Sequence, residues 1–386
     1  MTLRFSHRAD DIAPFLAMEV MERGMTMARA GHSIVQMGVG EPDFDAPPEA
    51  VDETIRALRS GETHYTDSRG LYTLREAIAD DCAKRRGVRP DPDQIVVTMG
   101  TSPAILTVLG LLVGPGDEVI MPTPHYPCYP NMVATFGGRS VLVPTSNADG
   151  FVIDVARIRA AITPRTKAIL FASPANPTGA VQPPEVVREL ASLGIPLLSD
   201  EIYDGLLYDG SVATSPFGLS DEVFVLDGFS KRYAMTGFRL GYVIAPKAAM
   251  RPLVSMQQSY FISATHFVQE AGIAALRDGA PHLERMRALY ERRRDLLVAG
   301  LRRLGLGLPV APKGAFYVLA DARRFGDVSL DLAFRILEEA KVAVGPGRDF
   351  GEIAEGYLRF SFATSEENIA EGLRRLEPVL AGLARS

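Results

Sequence analysis

Ala168-Ile169-Leu170-Phe171-Ala172, Pro196-Leu197-Leu198-Ser199 and Val223-Phe224-Val225-Leu226 are three short runs without a charged residue. A strand with one wet face alternates apolar and polar residues. These runs are apolar at both parities, as a strand covered on both faces requires. Residues 184–193, between the first two runs, read as a helix. Working outward, residues 95–98, 118–121, 139–143 and 240–245 read as further strands, with an apolar helix over 103–113. This alternation predicts an α/β fold, a mostly parallel sheet with helices on both faces.

Helical spacing also marks 15–30, 47–58 and 71–86, the last closed by Gly87, and 33–37 reads as a strand. After Pro246 the texture changes. A long charged helix over 282–304, strands at 315–319, 342–344 and 358–362, and a closing helix over 366–383 predict a smaller α+β unit. The expected division is a large domain over 46–285 and a small domain from 1–45 with 286–386, the boundary falling inside the long helix. The five arginines between Arg285 and Arg294 read as a solvated helix face.

The chain has 386 residues, 47% apolar and 23% charged, enough for two packed domains. A net charge of −6 with no basic block argues against a nucleic-acid or membrane-surface partner. No apolar run approaches the ~18 residues of a membrane span. The start of the chain, with Arg4, Arg8, Asp10 and Asp11, does not read as a signal peptide. Cys82 and Cys128 stand far apart, so a reduced, cytoplasmic protein is expected. Gly38-Val39-Gly40 continues as Glu-Pro-Asp, not as a dinucleotide loop, and no phosphate-binding Walker loop or nucleophile elbow occurs. The six histidines lack ligand spacing, so no metal site is expected.

The chemistry concentrates in four stretches. Phe229-Ser230-Lys231-Arg232-Tyr233-Ala234-Met235-Thr236-Gly237-Phe238-Arg239 holds a lysine between two strands that read as buried. Desolvation and a nearby cation depress a lysine pKa, and only the neutral amine attacks a carbonyl. Ser173-Pro174-Ala175-Asn176-Pro177-Thr178-Gly179 follows a strand end, where ligand loops gather, although alone it is a turn signal. In Ser199-Asp200-Glu201-Ile202-Tyr203 an acid ends an apolar strand. It caps the next helix or shares a ligand with Tyr203. In Thr98-Met99-Gly100-Thr101-Ser102-Pro103 a helix N-terminus offers free N–H groups, either a plain cap or a phosphate site.

Taken in this order, S-K-x-x-x-M-T-G-x-R, N-P-T-G and S-D-E-I-Y resemble the class I/II pyridoxal-phosphate-dependent aminotransferases, the fold type I shared with aspartate aminotransferase. The resemblance runs from G-E-P-D-F at Gly40 to A-T-S-E-E-N at Ala363. It implies that Lys231 forms the Schiff base with pyridoxal 5'-phosphate and shuttles the substrate proton. It implies that Asp200 pairs with the pyridine nitrogen, and that Asn176 and Tyr203 bond the phenolic oxygen. Gly100, Thr101, Ser102, Ser230 and Arg239 match the phosphate cradle, and Arg359 with Gly40 the site of the substrate α-carboxylate. Asn176 also borders the substrate.

Tyr126 stands where relatives commonly stack a Trp on the ring, and Phe238 replaces another Trp; the chain has none. Position 228 is Gly where some relatives carry a phosphate-binding Ser. Tyr65 matches a tyrosine that reaches the neighbouring subunit's phosphate, which implies a homodimer with shared sites. Arg69, in the same loop, is a candidate for a substrate's distal carboxylate or an ordinary surface arginine. The expected activity is amino transfer between an L-amino acid and a 2-oxo acid such as 2-oxoglutarate. A lyase or synthase on the same fold is the alternative. A ligand-sensing regulator is disfavoured, because only about 40 residues precede Gly40.

Overall fold

The computed structural model describes residues 3–6 and 8–384. Among them, seven strands form the central sheet. Their order is Ile95–Thr98, Gly241–Ile244, Val223–Gly228, Leu197–Asp200, Thr166–Ala172, Glu118–Thr123 and Arg139–Pro144. Gly241–Ile244 runs antiparallel to both its neighbours, and the other pairings are parallel.

Both faces are covered, as the doubly apolar runs require. Ile169, Leu197 and Val225 pack on one face with Leu74 and Ile78 of the helix Tyr72–Arg86. Their neighbours Leu170, Leu198 and Leu226 pack on the other with Ile105 and Val108 of the helix Thr101–Leu112. The alternation of a pleated strand therefore serves two cores at once.

A second sheet, Gly345–Pro346, Tyr357–Ser361 and Tyr317–Asp321, is antiparallel. It packs into an apolar cluster with the helices Ser329–Ala340 and Glu366–Leu383. The N-terminal segment joins this cluster through Val20 and Met27, and Val35–Gln36 pairs in parallel with Val342–Ala343. The helix Ala280–Arg303 is unbroken. Its Leu283 packs against both this cluster and the Leu74 side of the central sheet, whereas Met286, Tyr290 and Leu297 belong to the second cluster alone. Tyr203, Leu206 and Tyr208 also pack there.

The arginine run on that helix is not one solvated face. Arg293 bonds both oxygens of Asp43 at 2.9 and 3.0 Å, and its guanidinium lies 5.3 Å from the Phe44 ring. Arg294 is buried and grips Asp209 at 2.6 and 2.8 Å. A helix wedged between two clusters turns some of its long side chains inward, where each charge needs a partner.

Candidate active site

Five of the central strands end at one place. After Ile95–Thr98 comes Gly100 at φ +95°, a conformation that favours glycine, and then the helix Thr101–Leu112. No side chain caps this helix, so its first N–H groups are open. A Cβ built on Gly100 would lie 2.8 Å from Arg239 Nη2. The guanidinium thus sits against the positive end of the helix dipole, and together they form an anion cradle. At Gly228 a Cβ would meet Thr101 Oγ1 and Leu240 O at 2.9 Å, so this chain has no room there for a serine.

A cavity of about 440 Å³ lies over these strand ends. Thr101, Ser102, Ser230 and Arg239 line its anion end, while Gly40, Asn176 and Arg359 line it elsewhere. Tyr126, Asp200, Tyr203 and Lys231 line it too, whereas Gly100 stands behind the cradle without lining the cavity.

Lys231 follows the Val223–Gly228 strand, and its Nζ donates to Gly40 O at 2.7 Å. Burial pushes its pKa down to about 8, with Arg239 and Arg359 adding to the shift and Glu41 opposing it. Asp200 ends the Leu197–Asp200 strand. Its Oδ2 accepts from Tyr129 OH at 2.5 Å and its Oδ1 from the Ile202 N–H at 3.2 Å. Burial pushes its carboxyl up to about 6 against both bonds.

Arg359 donates to Asn176 Oδ1 at 3.1 Å and to Gly38 O at 2.7 Å, and lies 4.5 Å from the Tyr317 ring centre and 4.9 Å from that of Phe350. Its buried Nε–H has no partner. An unmatched donor on a buried guanidinium is costly, and an incoming carboxylate satisfies it. Tyr203 OH and Tyr317 OH are 2.9 Å apart, and burial raises both phenol pKa values. Tyr126 stands edge-to-face with Tyr129, their rings 5.4 Å apart.

Tyr65 is not brought to the cavity of its own chain; it is 81% exposed. Neither is Arg69, which pairs with Asp93 at 2.9 Å and with Asp67 at 3.5 Å. Tyr129 and Tyr317 line the cavity and touch Asp200, Tyr203 and Arg359, yet carry no motif. The one signal for Tyr129 is its place one helical turn from Tyr126. Thr236 and Glu41, which bond one another, line it as well, with Phe15, which precedes the helix Leu16–Arg29, and Met18 and Met21 within that helix.

The donor set fits pyridoxal phosphate: a glycine-opened anion cradle, a depressed lysine, a buried carboxylate for a ring nitrogen, and amide and phenol groups between them. The fold and the site define a pyridoxal-phosphate enzyme of fold type I.

The family described as aminotransferase class I and II matches residues 32–376. The aspartate/prephenate aminotransferase of Thermus thermophilus is 40% identical over 97% of this chain and 98% of that protein. Aromatic-amino-acid aminotransferase 2 of Thermococcus litoralis is 38% identical over 92% and 93%. The structure of the Thermus thermophilus aspartate aminotransferase with maleate superposes with a TM-score of 0.93 at 39% identity, covering 98% of this chain and 100% of that one. The chain belongs to the class I and II aminotransferases. It is a transaminase that uses pyridoxal 5'-phosphate, acting on an amino acid and an oxo acid.

Proposed function

We propose that the enzyme moves the amino group of an L-amino acid to 2-oxoglutarate in a two-half-reaction cycle, with the residues of the 440 Å³ cavity in the following roles. The single observation that carries these roles is the arrangement of Lys231, Asp200 and Arg359 around one space. Pyridoxal phosphate, when bound, supplies an aldehyde for amines and a ring that takes up the electrons of the Cα–H bond.

Gly100, Thr101, Ser102, Ser230 and Arg239 hold the phosphate. Asp200 keeps the ring nitrogen protonated, and Tyr129 keeps Asp200 ionised against its own desolvation. Asn176 and Tyr203 bond the phenolic oxygen, and Tyr126 packs on the ring. Arg359, beside Gly40 and Asn176, binds the α-carboxylate of donor and acceptor in turn, because both substrates carry one. The neutral Lys231 Nζ would take the proton from substrate Cα and pass it to C4′ of the cofactor in the first half-reaction, and would carry out the reverse transfer in the second; a placed general base contributes about 10²–10⁴-fold.

The exposed Tyr65 supports a homodimer in which this loop completes the partner's site. The division into 46–285 and 1–45 with 286–386 draws support from the two apolar clusters meeting at Leu283. Among the described residues no helix is long and apolar enough to cross a membrane. With two cysteines far apart, we read the enzyme as cytoplasmic. Phe15, Met18 and Met21 give the cavity an apolar wall, which supports donors with aromatic or apolar side chains beside acidic ones.

A panel of amino donors against 2-oxoglutarate, read as kcat/KM, tests the reading. Turnover by transfer is expected, with 2-oxoglutarate consumed mole for mole with donor. Ammonia release without glutamate formation overturns it.

A further inference from the structure

Behind the cavity lies a second, buried cluster made wholly of charged groups and their hydroxyl partners. Its centre is the last turn of the helix Tyr72–Arg86. Arg86, 4% exposed, contacts Glu201 and Asp227 at 2.7 Å each and Asp204 at 3.4 Å. Arg85 bonds Asp81 at 2.8 Å, Asp204, and Asp227 at 3.1 Å. Arg232 closes the cluster with two bonds to Asp81 at 2.7 and 2.6 Å. Tyr242 OH donates to Asp227 at 2.8 Å, and Ser199 and Ser215 donate to Glu201 at 2.9 and 2.7 Å. Three guanidiniums face four carboxyls. Cys82 and the phenol of Tyr233 border the cluster through Arg86 and Arg232.

The cluster's members are chain neighbours of the site's residues. Asp200 lines the cavity while Glu201 turns to Arg86, Tyr203 lines it while Asp204 turns to Arg85, and Lys231 lines it while Arg232 turns to Asp81. Thr101 donates through Oγ1 to the Asp227 carbonyl, whose carboxylate holds Arg85 and Arg86. Gly205 leaves room for the Arg232 stem, 3.1 Å from where its Cβ would stand. One helix end therefore clamps three separate cavity loops from behind, those after Ile95–Thr98, Leu197–Asp200 and Val223–Gly228. Buried ion pairs are poor sources of net stability but hold geometry strictly, and breaking one leaves an uncompensated charge. Next to burial and its two hydrogen bonds, the Asp227 charge acts on Asp200 and raises its carboxyl, so the guanidiniums that neutralise Asp227 protect the ionised form.

We propose that Arg86 is a positioning residue for amino transfer, fixing Asp200, Tyr203 and Thr101 through Glu201, Asp204 and Asp227 and setting the potential felt by Asp200. This rests on the role given above to Asp200.

The test compares Arg86→Met and Arg86→Lys holoenzymes with Lys84→Met on the exposed face of the same helix. Measured are the pH titration of the visible cofactor band, the dissociation constant for pyridoxal phosphate, kcat, and melting of the apoprotein. For Arg86→Met the band titration moves up by about one pH unit. Its kcat falls about tenfold or more, and KM for 2-oxoglutarate stays within about threefold because Arg359 is untouched. Arg86→Lys restores the titration, and Lys84→Met changes nothing. A lower melting temperature with titration and kcat unchanged overturns the proposal. If Arg86→Met does not fold, Arg86→Lys and Asp204→Asn are read against wild type by the same titration, and wild-type values for Asp204→Asn overturn it. Borohydride reduction of each holoenzyme reports separately on the cofactor reading: a label away from Lys231 fails that reading, while a label on Lys231 with unmoved titrations fails only this one.

Discussion

The Tyr129 phenol and the Asp200 carboxylate are 2.5 Å apart, and the phenol donates. This bond opposes the desolvation that lifts Asp200. Tyr129→Phe therefore raises the Asp200 pKa further and weakens its hold on a ring proton. A hydrogen bond to a charged group is worth about 1.5–3 kcal/mol, so kcat is expected to fall roughly 10–100-fold. Steady-state kinetics across pH 6–9 check this, with the largest loss at the acid end.

Asp200→Asn keeps the fold and binds cofactor, but loses about 10²–10³-fold or more in rate, because an amide supplies no negative charge. It also changes the apoprotein. Asp200 rises from 3.8 to about 6 on folding, so the folded chain holds a proton that the unfolded chain releases first. Its stabilising share is complete below about pH 3.8 and is lost as pH climbs through about 6. Urea midpoints at pH 4 and pH 6.5 are expected to differ less for Asp200→Asn than for wild type.

Lys231, at about 8, is half neutral where an ordinary lysine is almost wholly charged. Capture of pyridoxal by the apoprotein is expected to rise with pH around a midpoint near 8. Borohydride then places the label on Lys231 and not on Lys84, Lys167, Lys247, Lys313 or Lys341. Peptide mapping decides it.

Arg359→Lys loses the planar fork and its bond to Asn176. Losing one bidentate contact costs roughly 1.5–3 kcal/mol, or about 10–150-fold in kcat/KM. The loss is expected equally for donor and acceptor, since both half-reactions use one site. A loss confined to one substrate would contradict that sharing.

For Tyr65, mixing Lys231→Ala with Tyr65→Phe protein tests action across a subunit interface. If Tyr65 serves the partner, each heterodimer carries one site with both lesions and one with neither. Activity at limiting pyridoxal phosphate then recovers toward half the wild-type value per heterodimer. No recovery means that each tyrosine serves its own chain.

The middle of the central sheet was legible because Thr166–Ala172, Leu197–Asp200 and Val223–Gly228 are apolar at both parities, as strands covered on both faces are. Ile95–Thr98 and Glu366–Leu383 have the bounds read from sequence. Lys231, Asp200 and Asn176, which line one cavity, were legible because their motifs keep short-range order along the chain. Tyr317 was not, because its partners Tyr203 and Arg359 come from distant segments and a buried tyrosine in a strand looks like core. Arg293 and Arg294 were misread for the same reason: their partners Asp43 and Asp209 lie on other elements. The helix His266–Asp278 escaped notice because it buries alanines, a glycine and Gln269 instead of a clear apolar stripe.

Val35–Gln36 pairs with Val342–Ala343, and Met37 N–H donates to Ala343 O at 2.9 Å. The two halves of this pairing are synthesised some 300 residues apart. On the ribosome, the strands from Ile95 to Ile244 emerge together and can close their own sheet, while Val20, Met27, Val35 and Met37 wait uncovered until the C-terminal helices arrive. Residues made early are thus buried late, and a chaperone that shields Val20 to Met37 would act on them until Val342 and Ala343 have been made.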